Sequence, residues 1–95
     1  MRKNRYKEIG LLLQAWGCPV LTGWKALLRC AVIAAQHEEW GEAWTPMGVC
    51  QEAAALMHKT QWAVWKSMEY TLRKSRSAPR SVSMAIALLV EGVTK

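Results

Sequence analysis

The chain holds 95 residues, 52% of them hydrophobic, with 13 Lys and Arg against 7 Glu and a formal charge of +6. That length admits one small domain with one modest core, marginal enough that self-association to a homodimer stays open. The charge favours an anionic partner, nucleic acid ahead of a membrane surface, and the complete absence of Asp excludes an aspartate-phosphorylated receiver.

The chain opens on a basic arm, residues 1–7, with Arg2, Lys3, Arg5 and Lys7; it is either a solvated end or a grip on phosphate. Ile9, Leu12, Leu13 and Trp16 fall at i, i+3, i+4 and i+7 and predict a helix over residues 6–16, which Gly17 and Pro19 stop. Thr22 is placed to cap a second helix over residues 23–36. Trp24, Leu27, Leu28, Ala31 and Ala35 form its apolar stripe, Lys25 and Arg29 project from another side, and Ala31, Ala34 and Ala35 predict close approach of a neighbouring helix. Residues 37–44, acidic and aromatic around Gly41, read as a loop or a frayed helix end.

Thr45 and Pro46, a cap residue followed by a proline suited to the first helical position, open a third helix reaching residue 56 or 57. Gly48 costs it about 1 kcal/mol against Ala if it lies mid-helix. A tight turn at Met57-His58-Lys59-Thr60 leads into a fourth helix over residues 61–74. Residues 75–78 turn before Pro79, and a fifth helix over residues 80–90 repeats Met84, Ala87, Leu88 and Glu91 at helical spacing within a broad apolar run. Such a helix is either well buried or covers a partner. The expected fold is all-α, a single small domain of five helices, with a helix-turn-helix over residues 46–74.

The fourth helix carries the functional expectation. At about 100° per residue, Val64, Met68, Thr71 and Leu72 share an inward face with Trp65 at its edge. The opposite face holds Trp62, Lys66, Tyr70 and Arg73, with Ala63 and Lys74 beside it. Lys and Arg neutralise phosphates, and Trp and Tyr donate hydrogen bonds to them or lie against sugar, so this face suits a helix laid in a major groove of double-stranded DNA. With a single Arg, near the helix end, it is better matched to backbone contact than to bidentate reading of bases. The same composition describes a protein-interface hot spot centred on Trp62, Trp65 and Tyr70, and it also describes a solvated helix with Trp62 folded onto a neighbour.

No enzyme, cofactor or metal site is expected. His37-Glu38-Glu39 lacks the His-Glu-x-x-His spacing of a zinc site, because residue 41 is Gly, and reads as an exposed acidic helix end. His58 sits in the turn as a cap or surface residue. Ser75, Ser77, Ser81 and Ser83 have no partnered base, and there is no Gly-rich phosphate loop. Cys18, Cys30 and Cys50, odd in number and widely spaced, fit neither a zinc pattern nor a disulfide framework; they read as reduced, mostly buried small residues of a cytoplasmic protein. The apolar runs at residues 9–13 and 84–90 are too short for a secretory signal or a membrane span.

Three segments in order carry a family resemblance. Trp16-Gly17-Cys18-Pro19 followed by Gly23-Trp24-Lys25-Ala26-Leu27 resembles the Gly-x-Pro turn and Gly-Tyr-x-x-Leu helix opening of the DNA-binding C-terminal domain of the sporulation-initiation master response regulators of endospore-forming bacteria. Ala53-Ala54 through Met57 is similar to the supporting helix of that family's helix-turn-helix, and Thr60, Val64, Met68 and Leu72 occupy its Thr and aliphatic core positions. The resemblance implies an all-helical domain of a transcription regulator whose fourth helix enters the major groove. The outer face departs from the family: where its recognition helix carries Ser, Arg, Glu and further Arg, this chain has Trp62, Ala63, Trp65, Lys66 and Glu69. Lys66 alone keeps the charge, and Lys does not replace Arg in bidentate readout, so the family's operator preference does not carry over. The family's long segment before the last helix is here cut to the turn at residues 75–78.

Overall fold

The structure, a computed structural model, describes residues 5–94, so Arg2 and Lys3 of the basic arm lie outside it. The described residues form five α-helices: α1 (Arg5–Ala15), α2 (Thr22–Glu39), α3 (Pro46–Met57), α4 (Gln61–Lys74) and α5 (Val82–Thr94). They bury one shared core, and α2 runs through its middle in contact with every other helix. The reason is in its side chains: Ala26, Ala31, Ala34 and Ala35 are wholly buried, and residues that small let neighbours approach on several sides. Gly23 takes this furthest. A Cβ placed there would stand 2.1 Å from both Ser67 O and Thr71 Oγ1 of α4, so the first turn of α2 lies directly on the α4 backbone.

The helix ends follow the local sequence closely. Thr45 caps α3, its hydroxyl accepting from Gly48 N at 3.0 Å, with Pro46 at the first helical position. Thr60 caps α4 in the same way through Ala63 N at 3.1 Å. Gly48 therefore sits in the first turn of α3 and not mid-helix, and its amide is used by the cap. Three helices stop by one device. Gly17, Gly41 and His58 take the left-handed conformation, with φ of 74°, 72° and 57°. The next amide in each case reaches back to a carbonyl in the last turn, Cys18 N to Leu13 O, Glu42 N to His37 O and Lys59 N to Ala54 O. This is the Schellman closure, and glycine is its usual occupant because any Cβ is strained there. His58 is the exception, so His58→Gly is expected to stabilise the fold by about 1 kcal/mol, read as a higher urea midpoint at unchanged slope.

Some boundaries differ from the sequence expectation. Thr22 is not a cap: Leu21 holds the capping position without any side-chain bond, and Thr22 is the exposed first residue of α2. α2 continues through His37, Glu38 and Glu39 until Gly41 closes it, so only the remainder of residues 37–44 is loop. α5 begins at Val82 rather than residue 80, because Ser81 caps it, accepting from Met84 N at 3.3 Å. Arg80 meanwhile turns back to α4, donating from Nη1 to Leu72 O at 2.7 Å and Arg73 O at 3.1 Å. On α5 the buried face is Val82, Ala85, Ile86, Leu89, Val90 and Val93; the Met84, Ala87, Leu88 and Glu91 stripe faces outward. No described helix is long and apolar enough to cross a membrane.

Candidate nucleic-acid interface

α3, the left-handed turn at His58 and α4 form the helix-turn-helix pair, and the inward face of α4 has the composition its periodicity requires. Val64, Met68, Thr71 and Leu72 are buried, and Trp65 is half-buried against the core. With that stripe fixed, the outer side is fixed too: Trp62, Lys66, Tyr70, Arg73 and Lys74 are all exposed. Trp62 keeps 68% of its surface and Tyr70 48%, so neither indole nor phenol is folded onto a neighbouring helix.

Four of the five candidate residues form two cation–aromatic steps along α4. Lys66 Nζ lies 4.7 Å from the Trp62 ring centre and Lys74 Nζ lies 5.4 Å from that of Tyr70, each pair spaced i, i+4. Lys66 also meets Glu69 at 3.6 Å, so part of its charge is already balanced. Arg73 makes no ion pair among the described residues, nor does Arg76 just beyond the helix end. Arg80 does not extend this basic surface; its guanidinium satisfies the last carbonyls of α4 and adds a positive charge at the negative end of that helix dipole. Sequence spacing gave no signal of that role.

Apart from Glu69, four carboxylates, Glu38, Glu39, Glu42 and Glu52, collect elsewhere. Arg5 pairs with Glu39, which ties the start of α1 to the end of α2. The end of α1 meets the basic segment: Ser77 N donates to Trp16 O at 3.0 Å, and Gly17 packs against Arg76. The acidic and basic groups are thus held apart by the length of α1, about 16 Å at 1.5 Å rise per residue. At the same end of α2, Glu38 accepts from Trp44 Nε1 at 3.0 Å, and Glu42 and Glu52 both meet His37.

His37 organises this acidic end. Its Nδ1 is 2.7 Å from Glu42 and its Nε2 is 3.0 Å from Glu52, so one ring joins α2 to the following loop and to α3. The hydrogen bonds to Glu52 and then Glu42 raise the His37 pKa above its ordinary value. With both nitrogens engaged on opposite sides of the ring, the cluster does not converge on a metal, and no three His, Cys or carboxylate side chains do so among the described residues. A hollow of about 260 Å³ beside it is lined by His37, Glu52, Trp44, Thr45, Gly48 and Val49. A histidine whose folded pKa lies above its unfolded one adds stability that is full below the unfolded pKa and is lost as pH rises through the folded one. The urea midpoint is therefore expected to fall as pH rises above the ordinary histidine value of about 6.5, and His37→Gln to flatten that slope.

The three cysteines are free and buried. Burial pushes the Cys18 thiol up, against a weaker opposing hydrogen bond with Ser75, whose Oγ lies 2.9 Å from the sulfur. Comparison of the chain with protein-family models, with curated proteins and with solved structures finds no match.

Proposed function

We propose that the protein is a cytoplasmic, double-stranded-DNA-binding transcription regulator of helix-turn-helix type, holding the phosphate backbone along the exposed side of α4. The observation that carries this reading is the segregation of charge. Lys66, Arg73, Lys74 and Arg76 gather on and just beyond α4, whereas Glu38, Glu39, Glu42 and Glu52 lie at the other end of α1. A protein of net charge +6 that gathers four of its seven carboxylates at the far end of α1, and keeps only Glu69 on α4, presents that helix to a polyanion. Arg73 and Lys74 take phosphates directly, and Lys66 does so on leaving Glu69. Trp62 and Tyr70 lie against the sugar–phosphate rail, their polar atoms available as donors. The resemblance to the sporulation-regulator effector domain supports the same use of α4.

The testing experiment is fluorescence anisotropy with random duplex DNA across a salt series. Binding with log K falling linearly in log salt supports the reading; absence of binding at low salt sinks it. One observation favours a second reading. Trp62, at 68% exposure, is a large side chain of the type that anchors protein interfaces. In that reading α4 docks on a protein or on a second copy of the chain, with affinity nearly indifferent to salt and lost on Trp62→Ala.

A further inference from the structure

The hollow against the first turn of α3 has a lining whose side chains are already fixed. Trp44 Nε1 donates to Glu38 at 3.0 Å, so the indole offers a bound molecule its ring and not its N–H. Glu52 spends one oxygen on His37 Nε2 at 3.0 Å and, as a carboxylate, keeps lone pairs on the other. Thr45 accepts from Gly48 N at 3.0 Å, which holds its hydroxyl in place. Gly48 has no side chain to fill the space, Ala43 has only a methyl, and the buried Val49 adds an apolar surface. At about 260 Å³ the hollow falls just under the roughly 300–1,000 Å³ of small-molecule sites, which suits a ligand of a few heavy atoms.

The charge around it has one sign. His37 meets Glu42 on one nitrogen and Glu52 on the other, so even a protonated ring leaves a net negative charge and a neutral ring leaves more. Glu38 on the far side of the Trp44 bond adds another carboxylate, while Arg5 is engaged with Glu39. An anion is repelled from such a place. No three His, Cys or carboxylate side chains converge on a metal among the described residues, so the cation that fits is an organic one. We propose that this hollow is a binding site for a small organic ammonium ion, a short alkylamine in its protonated form. Its ammonium group donates to Glu52, and its alkyl chain lies against Trp44 and Val49. An indole beside a carboxylate suits this ligand because the ring face and the carboxylate both attract positive charge while the ring also covers apolar surface. The site uses no residue of α4, so it stands or falls independently of DNA binding.

The test is a titration of the ¹⁵N-labelled full chain with n-butylammonium chloride near neutral pH, where an alkylamine is protonated, followed by two-dimensional amide NMR. Sodium chloride at equal concentration and n-butanol serve as controls, and the Trp44 indole signal is assigned by its loss in Trp44→Phe. The Trp44 indole N–H and the Gly48 amide are expected to shift saturably, with a Kd on the order of millimolar, as five heavy atoms allow. Glu52→Gln, which removes the charge and keeps the shape, is expected to weaken binding by about tenfold or more. Ala43→Leu, which fills the hollow from an exposed loop position and disturbs none of the bonds above, is expected to abolish it. Glu69→Gln, on α4, is expected to leave it unchanged and so separates the local charge from the net charge. Circular dichroism establishes that each variant keeps its helices. The proposal is overturned if butylammonium shifts these signals no more than sodium chloride does, if n-butanol shifts them equally, or if folded Ala43→Leu and Glu52→Gln bind as the native chain does.

Discussion

Gly23→Ala is expected to destabilise the protein by about 3 kcal/mol or more, the upper end of what overpacking costs. The argument is steric. The added methyl would meet a backbone oxygen and a wholly buried hydroxyl at 2.1 Å, and the Ser67 carbonyl carbon at 2.7 Å. Backbone cannot swing aside as a long side chain does, so α2 and α4 must separate. Those are the helices that bring Cys30 to Met68 and set the inward face of α4. For a domain of this size, with total stability on the order of 5–14 kcal/mol, that loss is a large fraction of the whole. Gly10 supplies the contrast. A Cβ there would lie 3.7 Å from the Trp24 ring, an ordinary contact, while removing a glycine from inside α1. Gly10→Ala is accordingly expected to stabilise by up to about 1 kcal/mol. Urea unfolding of the two variants beside the native chain decides the matter, and similar midpoints for both would refute the close packing of α2 on α4.

The second large effect concerns DNA. In the double variant Arg73→Gln, Lys74→Gln, duplex affinity near 0.1 M salt is expected to fall by on the order of 50-fold, and the slope of log K against log salt to become shallower by about 1.8. Each phosphate contact releases about 0.9 of a counterion, which at that salt is worth a factor of about 8, and two contacts multiply. Both side chains are exposed and Arg73 makes no ion pair among the described residues, so the fold should lose only a helix-dipole contribution of about 0.3–1 kcal/mol for each. Trp62→Ala, by contrast, is expected to weaken binding several-fold while leaving the slope unchanged, because an indole releases no counterion. The opposite pattern, a slope untouched by the double variant and binding abolished by Trp62→Ala, would transfer α4 to the protein-docking reading.

Much of the helical framework is written locally. The stops at Gly17 and Gly41, the caps at Thr45 and Thr60 and the proline at position 46 act over one turn, and each is a property of a few consecutive residues. The two faces of α4 follow from apolar spacing alone, because a helix has only one side to bury once its stripe is fixed. The same reasoning misplaced Thr22, since a capping hydroxyl is useful only at the residue where the helix starts, and packing of Gly23 on α4 sets that start one residue earlier. It also left the two sides of α5 undivided. Its apolar run is so broad that only contact with the other helices decides that Ile86 and Leu89 face in and Met84 and Leu88 out.

What the sequence by itself determined is therefore the set of five helices, their ends to within a few residues, the inward and outward sides of α4 and the excess of positive charge. These depend on residues within one or two turns of each other, or on composition. What only the tertiary structure decided depends on residues far apart in the chain. Arg80 reaches back to the end of α4, His37 bridges to Glu52, Arg5 ties the start of α1 to Glu39, and Cys30 lies against Met68 although 38 residues separate them. No local pattern encodes such meetings, because burial of the shared core brings them about, and that core exists only once all five helices have packed.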